Sequence, residues 1–176
     1  TGGGRLVLAK DALGYTGAAV VRAGTLAVND WFGGSVQVAS GARLEGTGSI
    51  ASVWVRDGAT LAPGASIGVL RVPGDVRFDD GSTLSIEVEA DGRHDVLAVG
   101  GKALLDGNVQ ALAGAGDWQP STSYRFLTAA GGFDDTRFDG VNTTLAFLTP
   151  TLVYDATSVS LTLARNDVPI DAPAVT

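Results

Sequence analysis

One histidine occurs in 176 residues, His94, and it stands beside Asp95 in the run ADGRHDVL. An acid next to an imidazole invites a charge-relay reading, because such a pair can draw a proton from a nucleophilic hydroxyl. Neighbouring residues on a strand face opposite ways, though, and no serine reads as lying at the strand-to-helix elbow such a nucleophile needs. His94 is therefore expected in an exposed turn that enters a strand over residues 96–99. A second group of chemically capable residues is GGFDDTRFDG, residues 131–140, where Asp134, Asp135 and Asp139 offer oxygens of the kind calcium takes. It is similar to the glycine–aspartate nonapeptide, but Asp134 stands where the third glycine belongs and the unit occurs once. Asp79, Asp80 and Gly81 fit a corner better than an ion cage. GASIG, residues 64–68, has the glycine amides of a phosphate loop without its lysine or a following helix, so a sharp bend bracketed by Pro63 and Pro73 is expected. No catalytic residue, metal ligand or cofactor is expected.

The elements that carry these segments follow from composition. There are no cysteines, so neither a disulfide framework nor a thiolate metal site is available. A net charge of -7 supplies no basic surface for phosphates, which argues against nucleic acid as a partner. Hydrophobic residues make up 45% of the chain, enough for a core, yet no run approaches the roughly 18 apolar residues of a spanning helix. Methionine is absent even at position 1, which leads to the expectation of a piece of a longer precursor.

Glycine, at 25 of 176 residues, is about twice its usual share of roughly 7%. The glycines punctuate a recurring sentence: Val21, Gly24 and Leu26; Val36, Val38, Gly41 and Leu44; Val53, Val55, Gly58 and Leu61; Val76, Phe78, Gly81 and Leu84; Leu97, Val99, Gly101 and Leu104. The turn glycines recur after 17, 17, 23 and 20 residues, a spacing typical of solenoids. Each V-x-V would put two side chains on one face of a strand, and the glycine would make the corner before the leucine starts the next wall. The fold class expected is all-β, a right-handed parallel β-helix over residues 1–110, with coil corners at Gly24, Gly41, Gly58, Gly64, Gly81 and Gly101.

Beyond residue 110 the pattern changes. Trp118, Tyr124, Phe126, Phe133, Phe138, Phe147 and Tyr154 cluster, and runs at 124–127, 145–148 and 159–163 read as hairpin strands. A hairpin-rich cap over residues 111–167 would cover both the apolar interior and the unpaired strand edges at the end of a coil. VPIDAPAVT, residues 168–176, reads as an extended, proline-interrupted tail.

Residues 46–110, with the ordered run GATLAPGASIGVL, then Gly74-Asp75, then GSTL, closely resemble the C-terminal part of the passenger domain of bacterial autotransporters (type V secretion). Residues 121–167, with TPTLVYD and LTLARN, do so too, and residues 15–30 resemble the strand repeat of those passengers. The resemblance implies a β-helix stem ending in an autochaperone, or junction, segment, with the tail beginning the linker to an outer-membrane barrel. Delivery to the cell surface of a Gram-negative bacterium is implied, with upstream passenger coils and the barrel as partners in cis and the fragment itself a monomer. A cap that folds first would then template later coils and bias transport outward.

Two rival functions are weighed beside a non-catalytic stem. A polysaccharide-cleaving β-helix would need acidic and basic side chains clustered on neighbouring coils, where glycine, alanine, serine and isolated charges stand instead. An adhesive surface binding host molecules would use an exposed face, but Arg43, Arg56, Arg71 and Arg77 are too widely scattered in sequence to mark an acidic-ligand groove. The activity of the whole passenger, whether protease, esterase or adhesin, would lie in an upstream module.

Overall fold

The computed structural model describes residues 3–10 and 14–166, and the expected tail at 168–176 lies outside the described residues. No helix occurs among those described. One wall is a seven-stranded sheet in the spatial order β1 (Arg5–Leu8), β3 (Thr25–Val28), β5 (Arg43–Gly46), β7 (Thr60–Pro63), β10 (Thr83–Val88), β13 (Asn108–Ala113) and β15 (Gly140–Thr143), every pair parallel. At about 4.8 Å per rung, this wall rises roughly 30 Å.

The second wall starts with β2 (Ala18–Val21), β4 (Trp31–Val38) and β6 (Ser49–Val55), also parallel. In the two rungs past β6 this wall is broken into two short strands. One line runs through β8 (Val69–Val72), β11 (Val96–Val99) and β14 (Ser121–Ala129), the other through β9 (Val76–Phe78) and β12 (Ala103–Leu104). Antiparallel pairing among the described strands comes only with β17 (Ser158–Arg165), which runs opposite to β14 on one side and to β16 (Leu148–Tyr154) on the other. The architecture is an all-β, parallel, β-helix-like solenoid with an antiparallel end.

Register explains the sequence pattern. Leu6, Leu26, Leu44, Leu61, Leu84, Val109 and Val141 stack as one column along the first wall. On the second wall, Val36 stacks on Val53 and Val53 on Val76, while Val38 stacks on Val55 and Val55 on Phe78. These residues point into a common bore, and Leu44, Leu61 and Leu84 are wholly buried there. Each such side chain contributes about 1.5–3 kcal/mol of burial.

The corners before the first wall fall on glycines with left-handed backbone, Gly24, Gly41, Gly58 and Gly81 (φ between 71° and 76°), and Gly64 (φ 87°) turns the bend at 64–68. Gly101 is a correction. It sits between β11 and β12 without a positive φ, its N–H donating to Gly74 O at 3.0 Å, and the left-handed corner of that rung is Gly107 (φ 67°). The reason is the break in the second wall, which adds a bend to each longer rung before the corner is reached. Leu104 likewise faces Arg77 at the surface, and Ala103 takes the inward place.

The expected hairpin strands are also corrected in part. Residues 124–127 lie in β14 and 159–163 in β17, but 145–147 form a turn closed by Leu148 N–H donating to Leu145 O at 3.0 Å. Parallel pairing moreover continues through β15, well past residue 110.

The column makes a graded test possible. Leu61→Ala should cost about 2–5 kcal/mol in urea denaturation, because the rungs on both sides hold the cavity open. Leu6→Ala, at a column end that is 61% exposed, should stay within about 0.5 kcal/mol.

Candidate functional site: the carboxyl-terminal cap

The last parallel rung faces a different partner on each side. On one edge β14 continues the ladder, with Leu97 opposite Leu127 and Val99 opposite Ala129. On the other, it accepts β17 in the opposite direction, with Tyr124 opposite Leu161 and Thr122 opposite Leu163. A bulge between Arg125 and Leu127 shifts the alternation by one, so that Tyr124, Phe126, Leu127 and Ala129 all face inward and are fully buried. The β16–β17 hairpin then adds Leu148, Leu161 and Leu163 to the same core. Pro150 lies on β16, the final edge of this wall, where the missing N–H costs no ladder bond.

Five of the seven expected core aromatics, Trp118, Tyr124, Phe126, Phe133 and Phe138, are buried, while Phe147 and Tyr154 are half-buried against them. Four of them fall into two groups. Tyr124 packs edge-on to Trp118 (6.5 Å between centroids) and to His94 (5.4 Å), and its hydroxyl donates to Glu89 O at 2.6 Å. Trp118 Nε1 donates to Gly114 O at 3.1 Å. The second group joins Phe138 edge-on to Phe78 (5.4 Å) and accepts the Phe138 N–H on the Tyr154 hydroxyl at 3.2 Å, with the Arg137 guanidinium 4.6 Å over the Tyr154 ring. Burial pushes both phenols above their ordinary range, so each is a neutral hydroxyl at pH 7. Tyr124 and Phe138 thus tie the cap to rungs formed much earlier in the chain.

His94 and Asp95 do not form a relay. His94 Nδ1 meets Gly92 O at 2.9 Å and Nε2 meets Arg125 O at 3.3 Å, while Asp95 accepts backbone N–H groups on both oxygens. His94 is half-buried and Asp95 2% exposed, which corrects the expectation of a solvated turn. GASIG fits the letters G-x-S-x-G. The structure makes it a bend from strand to strand, with Ser66 exposed.

The three aspartates of residues 131–140 are separated. Asp134 pairs with Lys102 at 2.9 Å, and only Asp139 joins a carboxylate cluster, with Asp80 and Asp106, whose oxygens lie within 4.8 Å of one another. Oxygen donors in this arrangement suit a hard cation. The signal in the sequence was Asp-Gly at 57–58, 80–81, 106–107 and 139–140, one pair in each of four successive rungs. Two of the scattered arginines also converge: Arg56 and Arg77 lie 4.1 and 4.9 Å from the Trp54 ring centroid, and both guanidinia bond Asp79, at 2.9 and 3.0 Å. Arg43 pairs with Glu45 at 3.1 Å, and Arg71 lies exposed opposite Ser49.

No protein-family model matches the chain. The chain is similar over its whole length, at 30% identity across 185 aligned residues, to an extracellular serine protease of Serratia marcescens, and it spans 18% of that protein.

The cap contains a correctable weakness. Thr136 N–H donates to Phe133 O at 2.9 Å, closing a turn whose central residues, Asp134 (φ 48°) and Asp135 (φ 60°), are both left-handed. That is the conformation in which glycine or asparagine is favoured. Asp135→Gly should raise stability by about 0.5–1 kcal/mol, seen as a higher melting temperature.

Proposed function

We propose that the chain is the membrane-proximal stem and autochaperone-type cap of an autotransporter passenger, non-catalytic itself, that nucleates β-helix folding at the cell surface as the passenger emerges. The observation that carries this reading is the reversal at β14: a long parallel ladder stops at an antiparallel hairpin whose side chains fill the bore. Among the described residues, the opposite end is uncovered. A cleft of about 650 Å³ lies there, lined by Leu6, Leu8, Tyr15, Val20, Leu26 and Phe32. Leu6, Val7, Tyr15 and Val20 are 40–61% exposed, so an upstream coil stacked on β1 and β2 would cover them. Partners in cis are therefore upstream coils at this end and an outer-membrane barrel beyond the cap.

The Serratia relative, an extracellular serine protease of which this chain spans 18%, supports secretion to the cell exterior and a longer whole in which a serine-protease module accompanies the stem. On this reading the protease chemistry belongs to residues outside this chain. The bulk charge and the arginines' pairing with Asp79 and Glu45 offer little to an acidic host ligand.

Nucleation and mere stability separate in kinetics. Tyr124→Ala in the cap should slow refolding of the chain about tenfold or more, whereas Leu61→Ala should act mainly by speeding unfolding. Stopped-flow refolding after dilution from urea reads both; if the Leu61 variant slowed refolding as much as the Tyr124 variant, the cap would not be the nucleus.

A further inference from the structure

Asp95 stands where two successive rungs are held together. Its Oδ1 accepts the N–H of Gly68 at 2.9 Å, from the bend of one rung, and its Oδ2 accepts the N–H of Glu87 at 2.8 Å, on the next. Flanking main-chain bonds join the same two partners in the opposite sense: Asp95 N–H donates to Glu87 O and Val96 N–H to Gly68 O, both at 2.9 Å. The fit is close enough that a Cβ at Gly64, already left-handed, would strike the Asp95 carboxylate and Ser66 O. The side chain is 2% exposed.

No cation balances this carboxylate; among the described residues it makes no ion pair. From β10, Glu87 faces it with a like charge, and from β5 Arg43 and Glu45 line the same small cavity of about 80 Å³, paired with each other. Arg5 from β1 is also held by Glu45, at 2.8 Å. The bend 64–68 contributes no titratable group, and β13 contributes Leu112. On its own segment, His94 is turned to the carbonyls of Gly92 and Arg125, and Arg93 pairs with Glu89 and Asp91. From β14, Tyr124 packs on His94 and bonds Glu89 O.

We propose that Asp95 is a proton-linked clasp between two successive rungs of the stem: the rungs it joins are held more firmly when the medium is acidified from neutral toward pH 5, and loosen as neutrality returns. Burial, seconded by the charge of Glu87, pushes the Asp95 carboxyl up to about 6, against the opposing pull of the two N–H bonds and His94. The sign follows from linkage. A carboxyl near 6 in the folded chain and near 3.8 when unfolded binds its proton more tightly in the folded state. Its stabilising effect is complete below about pH 3.8 and is lost as pH rises through 6. The clasp depends on no particular route of secretion, so it stands or falls separately from the reading above.

Urea unfolding of the 176-residue chain and of Asp95→Asn, at pH 7.5 and pH 5.0, tests it. The folding equilibrium constant of the native sequence should gain about tenfold on acidification relative to the variant, whose neutral side chain takes up no proton. Equal pH dependence in the two chains, or a relative loss in acid, overturns the proposal. Should Asp95→Asn fail to fold, the carboxyl carbon resonance of Asp95 in the native chain decides: a midpoint near 6 supports the clasp, and one near 4 refutes it.

Discussion

Every rung of this fold satisfies its main chain with the rung before and the rung after, and nearly everything else follows from that mutual dependence. A rung alone closes few hydrogen bonds and buries few side chains against the entropy of fixing its backbone. Stacked, it shares both with its neighbours, and the Leu26–Leu44–Leu61–Leu84 column becomes a continuous apolar rod. The interior of such a stack stabilises itself. Its ends do not, because a last rung presents a row of unpaired N–H and C=O groups next to an uncovered bore.

The antiparallel hairpin resolves both problems at one end. Reversal of direction at β17 lets a short connection, residues 155–157, return the chain at once to the same sheet, where another parallel strand would have required a further full circuit. The hairpin is therefore a way of stopping. The bulge in β14 contributes a second benefit, since it turns Phe126 and Leu127 inward in succession and thickens the plug where the bore would open. Tyr124 and Phe138 extend that plug backward: Tyr124 bonds Glu89 in the rung that β14 already pairs with, and Phe138 reaches Phe78, on a rung that the cap strands do not touch through the ladder.

Much of the ladder was legible in the sequence because its determinants are local. Val36, Val38, Gly41 and Leu44 announce a strand, a left-handed corner and the next wall within nine positions, and the following rung repeats them at Val53, Val55, Gly58 and Leu61. Legibility failed where rung length changed. From Leu61 to Leu84, Val109 and Val141 the rungs grow, and a corner can no longer be found by counting from the last one, which is how Gly101 displaced Gly107. The same growth hid the parallel pairing that β13, β14 and β15 carry beyond residue 110. The burial of Asp95 was hidden for a related reason: its partners, Gly68 and Glu87, belong to a register that only the stack defines.

Register also decides which charges meet, and here the stack has less freedom than an ordinary surface. A residue type repeated once per rung is brought against its own copies, so the Asp-Gly corners that make good turns also set Asp80, Asp106 and Asp139 within 4.8 Å of one another. Corner chemistry and charge repulsion thus conflict at the same atoms. Exposure of Asp80 and Asp139 lets water and salt screen that repulsion. Asp79, one position earlier on the adjoining face, shows the other solution: its carboxylate is shared by Arg56, Arg77 and the indole N–H of Trp54. Asp95 is buried and makes no ion pair among the described residues; two main-chain N–H groups meet its oxygens. A solenoid can therefore hold three aspartates of one chemical kind in three electrostatic situations, because position along the rung, rather than the residue itself, determines what lies above and below.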